Sequence, residues 1–264
     1  MENETRYLLE MKHIVKKFGP IVALSNGYVS AERGKVTALV GGNGAGKSTL
    51  IKILSGAVPA DDGEILFNGQ PVTIRNVRDA LRIGIKTIYQ DLALIDPFTV
   101  TENLFVGREI TYDGPFKFLK ILNKKAMTNY AASEVKRMHL NIPSVSARVR
   151  TMSGGQRQAI ACARALMGNE PSVLVLDEPT AALGVREAGE IIEMIKKYRD
   201  DGAAIILISH NMRTVFDLAD EIVVLRLGEA VCKVRRKDVT EEDIVGLITG
   251  AIEKLDEDRD LLRV

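Results

Sequence analysis

Val36-Thr37-Ala38-Leu39-Val40-Gly41-Gly42-Asn43-Gly44-Ala45-Gly46-Lys47-Ser48-Thr49-Leu50-Ile51 is an apolar strand run that passes through a glycine-rich turn straight into an amphipathic helix. The glycines let the backbone curl so that successive N–H groups face one anion, and the helix that follows adds the positive end of its dipole. At that point Lys47 reaches the β- and γ-phosphates of a bound nucleotide, and the Ser48 hydroxyl is placed to ligate Mg²⁺. Chance puts G-x-x-x-x-G-K-[ST] into about 1% of chains this long. The flanking strand, and the continuation of the helix through Ile53 and Leu54, argue further against a stray turn. The stretch predicts a phosphate-binding loop for ATP or GTP.

The acidic partners that such a loop needs lie downstream. Val173-Leu174-Val175-Leu176-Asp177-Glu178 is a second buried-strand run ending in two carboxylates. Asp177 can hold Mg²⁺ directly or through water, and Glu178, one residue beyond, is placed as general base toward an attacking water. Thr151-Met152-Ser153-Gly154-Gly155-Gln156-Arg157-Gln158 precedes a helix read over 159–167 and makes a second anion-binding helix N-terminus. Gln90 follows the strand Ile85-Lys86-Thr87-Ile88, and His210 follows the strand ending Ile208-Ser209. In a parallel sheet, residues just past the carboxyl ends of strands converge on the ligand crevice. His13 and His139 are read as packed or solvated.

The 264 residues carry 36 basic and 35 acidic side chains, a net charge of +1, so no global field recruits nucleic acid or anionic lipid. The start has no apolar signal core, and the longest apolar run, 203–208, is far too short to cross a bilayer, so a cytoplasmic location is expected. Cys162 and Cys232 form no C-x-x-C pair and no metal spacing, and are expected as reduced thiols. Lys233, Arg235, Arg236 and Lys237 read as a solvated strand end, offset by the acidic tail at 253–260.

The organisation is strand-rich at the front, helical in the middle and alternating α/β behind. Segments 6–16, 20–31 and 64–67 read as antiparallel strands, with Asn68-Gly69 as a turn. A helix is read over 126–139, bounded by loose stretches at 112–115 and 141–143. Strands 173–176 and 204–208 flank a helix whose face carries Ala188, Ile191, Ile192, Ile195 and Tyr198, a βαβ unit.

With these motifs in order, the chain resembles the ATP-binding-cassette ATPases over roughly residues 8–250. The resemblance rests on the Walker A loop at 41–49 (Gly41, Asn43, Gly44, Ala45, Gly46, Lys47, Ser48, Thr49), the Q-loop Gln90, the signature Ser153-Gly154-Gly155-Gln156, the Walker B strand at 173–177, the base Glu178 and the switch histidine His210. It implies an α/β P-loop NTPase fold: a RecA-like core with a parallel sheet, an N-terminal antiparallel β subdomain and a helical subdomain inserted at about 91–159. One cassette would fill residues 1–250, followed by a tail at 251–264. It implies ATP and Mg²⁺, the metal held by Ser48, Gln90 and Asp177. Catalysis would fall to Glu178, His210, Gln90 and Lys47, with Phe18 stacked on adenine.

The resemblance also implies a second nucleotide-binding subunit, in the simplest case an identical one, set head to tail. Separate transmembrane permease subunits would complete the assembly, on the inner face of the plasma membrane. Segments 89–94, 101–109 and 179–187 are similar to cassettes that power bacterial importers of simple sugars such as ribose, xylose, galactose or fructose, which implies a periplasmic sugar-binding protein as an indirect partner. Met152 stands for the usual signature leucine, and Gly184 stands where most cassettes carry an aspartate. The rival readings are a regulatory clamp with little turnover and a cassette serving another substrate.

Overall fold

The apolar run ahead of the phosphate loop forms strand β3 (Val36–Val40), all five of whose residues are buried because the strand has a neighbour on each edge. The computed structural model describes residues 6–114, 117–138, 140–181, 183–255 and 259–262. His139, Ala182 and residues 256–258 of the acidic tail lie outside them. Two units are formed: Met1–Tyr89 with Pro171–Pro179 and Ile192–Val264, and Gln90–Glu170 with Thr180–Ile191.

The first unit holds the whole ten-stranded sheet. Its remaining strands are β1 (Leu9–Phe18), β2 (Ile21–Ala31), β4 (Asp62–Phe67), β5 (Gln70–Pro71), β6 (Ile85–Ile88), β7 (Val173–Asp177), β8 (Ala204–Ile208), β9 (Glu221–Arg226) and β10 (Glu229–Arg235). They lie in the order β5-β4-β1-β2-β10-β9-β3-β8-β7-β6. Strands β9, β3, β8, β7 and β6 run parallel, and the register sets Leu39, Ile208 and Asp177 in one row. Strands β1, β2, β4 and β5 pair antiparallel. The expected front strands are therefore present, with shifted ends.

Alternation along the parallel strands feeds two cores. Leu39, Val175, Ile206, Val223 and Leu225 pack with Leu50, Ile53 and Leu54 of helix α1 (Lys47–Leu54). Ala38, Val40, Ile222, Val224, Cys232 and Val234 pack instead with residues from two later helices, Met212–Leu218 and Glu241–Thr249. A short helix α2 (Val77–Arg82), capped by Asn76, precedes β6.

The second unit is helical. It contains α3 (Val100–Phe105), α4 (Lys124–Arg137), α5 (Gly154–Leu166) and the first turns of α6 (Val185–Asp200), and has its own core of Val100, Leu104, Phe105, Met127, Ala131, Ile160 and Ala163. The helix expected over 126–139 is α4, starting two residues earlier because Asn123 caps it through a bond accepted from Ala126 N–H. The remaining helices are α7 (Met212–Leu218) and α8 (Glu241–Thr249). No helix among the described residues is long and apolar enough to cross a membrane.

One expectation is overturned. Lys233 is not part of a solvated strand end: its side chain is fully buried, while Arg235, Arg236 and Lys237 are exposed or partly so. Its Nζ donates to Ser30 Oγ at 2.6 Å, lies 2.9 Å from Glu221 Oε2 and sits 3.8 Å from the Tyr7 ring centroid. Burial pushes the Lys233 pKa down, and Glu221 opposes that shift. A buried cation survives only when paired and hydrogen-bonded, and this one is both. Both cysteines are buried free thiols, each pushed up to about 12 by burial first of all.

Lys233→Met should destabilise the fold by about 3 kcal/mol, since removing one partner leaves Glu221 buried with a single remaining cation, Arg6. Lys233→Met with Glu221→Gln should recover most of that loss. Urea unfolding of the single and double variants checks this; equal destabilisation in both would contradict it.

Candidate functional site

The phosphate loop joins β3 to α1, and two of its glycines are dictated by what lies beneath them. Gly46 adopts φ 103°, and a Cβ there would stand 2.7 Å from Leu24 Cδ2 and 2.8 Å from Ala23 O of β2. A Cβ on Gly41 would overlap Leu225 O of β9. Side chains are impossible at both ends, and the turn between them is closed by Ala45 N–H donating to Gly42 O at 3.2 Å. Helix α1 begins with no side-chain cap and no acidic residue in its first turn, so its N-terminal donors and dipole are left for an exogenous anion. Asn43, Gly44 and Ser48 are exposed, Thr49 is half-buried and Ala45 is buried. Lys47 Nζ turns back onto its own loop, donating to Gly41 O at 2.7 Å and Gly42 O at 2.9 Å.

The register row puts the carboxyl end of β7 beside that of β8, close to the loop. Asp177 ends β7. Glu178 follows at φ 50°, a left-handed conformation that costs a non-glycine residue about 1 kcal/mol or more and persists only where the surroundings hold it. Its N–H donates to Ile208 O at 3.0 Å, which fixes the turn. The Glu178 carboxylate is nearly buried, and its Oε1 lies 2.8 Å from Nδ1 of the well-exposed His210. Burial pushes Lys47 down from the usual lysine range, against the pull of Glu178 and Asp177. Asp177 is pushed up by burial and then by Glu178, with Lys47 and Lys52 opposing. Lys47, Asp177, Glu178 and His210 are thus one electrostatic cluster at one sheet edge.

The half-buried Asp177 carboxylate, pushed up by burial and by Glu178 against Lys47 and Lys52, is one that a divalent cation would favour in its charged form. Among the described residues no group of three or more His, Cys, Asp or Glu side chains is set to hold a metal. Asp177 and the Ser48 hydroxyl are therefore a sparse oxygen donor set, which fits Mg²⁺ kept mostly by water and substrate phosphates. Phe18, at the end of β1, is 46% exposed and so is not spent on the core; Lys16 Nζ lies 5.5 Å from its ring centroid.

The other sequence-selected residues belong to the second unit. Gln90 opens it and is exposed. Ser153 caps α5 in a reciprocal box: its Oγ accepts from Gln156 N–H at 3.3 Å, and Gln156 Oε1 accepts from Ser153 N–H at 3.0 Å. Gly154 has open space around it, while Gly155 is covered by the Glu187 side chain.

Sequence reading missed how the segment after Gln90 is held. Arg164 of α5 donates to Leu92 O and Ala93 O at 2.6 and 2.7 Å, and Arg157 pairs with Asp96. Asn103 is buried, accepts from Ile95 N–H and donates to Ile95 O and Thr99 O. The signature helix and the post-Gln90 segment are therefore tied together inside one unit. Arginines at the fourth and eleventh positions of a helix carry no periodic signal, so nothing in the pattern marked them.

The family model described as ABC transporter matches residues 24–181. Over 248 residues the chain is 42% identical to the fructose import ATP-binding protein FrcA of Rhizobium meliloti, covering 93% of this chain and 95% of that one. It is 39% identical over 244 residues to the xylose/arabinose import ATP-binding protein XylG of Sulfolobus acidocaldarius, covering 92% and 94%. A ribose import ATP-binding protein of Escherichia coli O157:H7 is 40% identical over 243 residues, and the match spans 46% of its length. A nucleotide-free ATP-binding cassette from an ABC transporter superposes with TM-score 0.76 at 28% identity, covering 92% of this chain and 95% of that one. With the family model matched over more than half of the chain and relatives of about 40% identity along nearly all of it, the chain belongs to the ABC transporter family as one of its ATP-hydrolysing cassettes.

Proposed function

We propose that this cassette is the energy-coupling subunit of an importer for a simple sugar, working through separate permease subunits on the cytoplasmic face of the membrane. The observation that carries the catalytic half is the Glu178–His210 contact beside the phosphate loop. The two relatives matched along their length, named for fructose and for xylose/arabinose import, support the sugar.

In this reading the loop N–H groups and Lys47 would bind the nucleotide phosphates, Phe18 would stack on adenine, and Ser48, Asp177 and Gln90 would hold Mg²⁺. Glu178 takes a proton from the attacking water while His210 orients Glu178 and the γ-phosphate. Mg²⁺ supplies charge neutralisation on the phosphate oxygens. Ser153, Gly154, Gly155 and Gln156 of one chain close over the γ-phosphate held by a second copy set head to tail, so ATP joins the two chains and hydrolysis releases them. A periplasmic sugar-binding protein would deliver the cargo. That Lys47, Asp177, Glu178 and His210 are all present favours turnover over a passive clamp.

Glu178→Gln should retain ATP affinity and slow hydrolysis by about 10² or more, because positioning survives and the base is lost. Size-exclusion chromatography with ATP should show this variant as a dimer; a monomer throughout, beside an active wild type, would overturn the composite site. In cells, deletion of the cassette should abolish uptake of one or a few monosaccharides. Normal uptake of every monosaccharide, with loss of transport of a peptide or lipid, would keep the ATPase and remove the sugar.

A further inference from the structure

Two glycines in the second unit have no backbone reason to be glycine. Neither Gly155, in the first turn of α5, nor Gly184, just ahead of α6, has a positive φ. Glycine at either place costs conformational entropy that another residue would spare. Gly184 O accepts the first bond of α6 from Ala188 N–H at 2.9 Å, which makes residue 184 the helix cap, where an aspartate would ordinarily be the better choice.

One side chain meets both, Gly155 through its stem and Gly184 only through its carboxylate end. A Cβ on Gly155 would overlap Glu187 Cγ and stand 2.8 Å from Glu187 Cβ; a Cβ on Gly184 would stand 2.6 Å from Glu187 Oε2. The first collision is with the stem of Glu187, not its movable end, so no rotation of the carboxylate relieves it. Glu187 is half-buried, and its carboxylate has no ion pair or hydrogen bond among the described residues. Its contribution at this place is packing. The stem covers the second signature glycine while the head fills the space beside residue 184.

We propose that Glu187 is a positioning residue: it seats the Ser153-Gly154-Gly155 turn against the segment that leads into α6, filling from α6 the space that an aspartate side chain at 184 would take. The inference rests on the composite-site reading, since only there does the signature turn meet a nucleotide. It follows that Glu187 and an aspartate at 184 compete for one space, since the Glu187 carboxylate must turn away to admit the aspartate, and that each can replace the other.

Steady-state ATPase kinetics on the full chain test this with a double-variant cycle. Glu187→Ala and Gly184→Asp should each lower kcat by about tenfold, with KM for ATP changed by less than about threefold, because the phosphate loop is untouched. Glu187→Gln keeps the stem and should stay within about threefold of wild type. The double variant Gly184→Asp/Glu187→Ala should recover to within about threefold of wild-type kcat. Melting temperatures of the four variants separate positioning from unfolding: the proposal requires the kcat loss in Glu187→Ala at a melting temperature matching that of Glu187→Gln. Wild-type kcat in Glu187→Ala, additive losses in the double variant, or a kcat loss that tracks melting temperature overturns it. Dimerisation of Glu178→Gln alone is the control for the composite site. If that dimer fails to form, the composite reading falls, while rescue in the double variant would still report the Glu187 contact.

Discussion

The contact on which the site depends is the seating of the phosphate loop on two strands, β9 beneath Gly41 and β2 beneath Gly46. Packing this close leaves no room for a Cβ at either end, and the turn it forces, closed by Ala45 N–H donating to Gly42 O, is of the kind that cradles an anion. Everything else at the site is arranged around that fixed turn. Helix α1 starts uncapped because the loop delivers the chain to it in that state, and Lys47 folds back over the loop because its carbonyls are the acceptors within reach. A mutation at either glycine is therefore a change in the packing of the sheet as much as in phosphate binding.

The carboxylate side of the site has a different origin. Asp177 and Glu178 are brought to the loop by register, one residue in β7 matched to one in β8 and one in β3, with no direct hydrogen bond to the loop needed. Burial raises Asp177 while lowering Lys47, so both groups stand away from their solution behaviour before any ligand arrives. Both shifts disfavour the charged form of the group, so a bound phosphate or cation that pairs with them is favoured, and positioned groups of this kind are what a phosphoryl-transfer site uses.

Much of this was legible in the sequence because the decisive elements are local. Strand, glycine turn and helix are contiguous at 36–54; Asp177 and Glu178 end an apolar run; Ser153 and Gln156 sit at capping-box spacing. What escaped was non-local or locally disguised. The β9–β10 hairpin turns at Leu227-Gly228, with an 86% exposed leucine at φ 51° where asparagine would have announced the turn, as Asn68-Gly69 does between β4 and β5. Lys233 reads as part of a solvated basic run until Ser30, Glu221 and Tyr7 close around it from distant parts of the chain. The partners of Arg164 and Arg157 lie some sixty to seventy residues away. Gly155 was visible as a residue, but the side chain that covers it, Glu187, lies on another helix.

The central claim is that the donors around Lys47 and the signature turn meet across two chains. Asn43 is exposed and Gly154 has open space for a side chain, so Asn43→Cys and Gly154→Cys can be carried together on the Glu178→Gln chain. Cys162 and Cys232 are buried and, with thiols pushed to about 12, stay silent toward mild oxidant. Oxidation followed by non-reducing electrophoresis should give a species of twice the monomer mass that forms with ATP and is absent without nucleotide. Cross-linking only within the monomer, or dimer bands indifferent to ATP, would contradict the account.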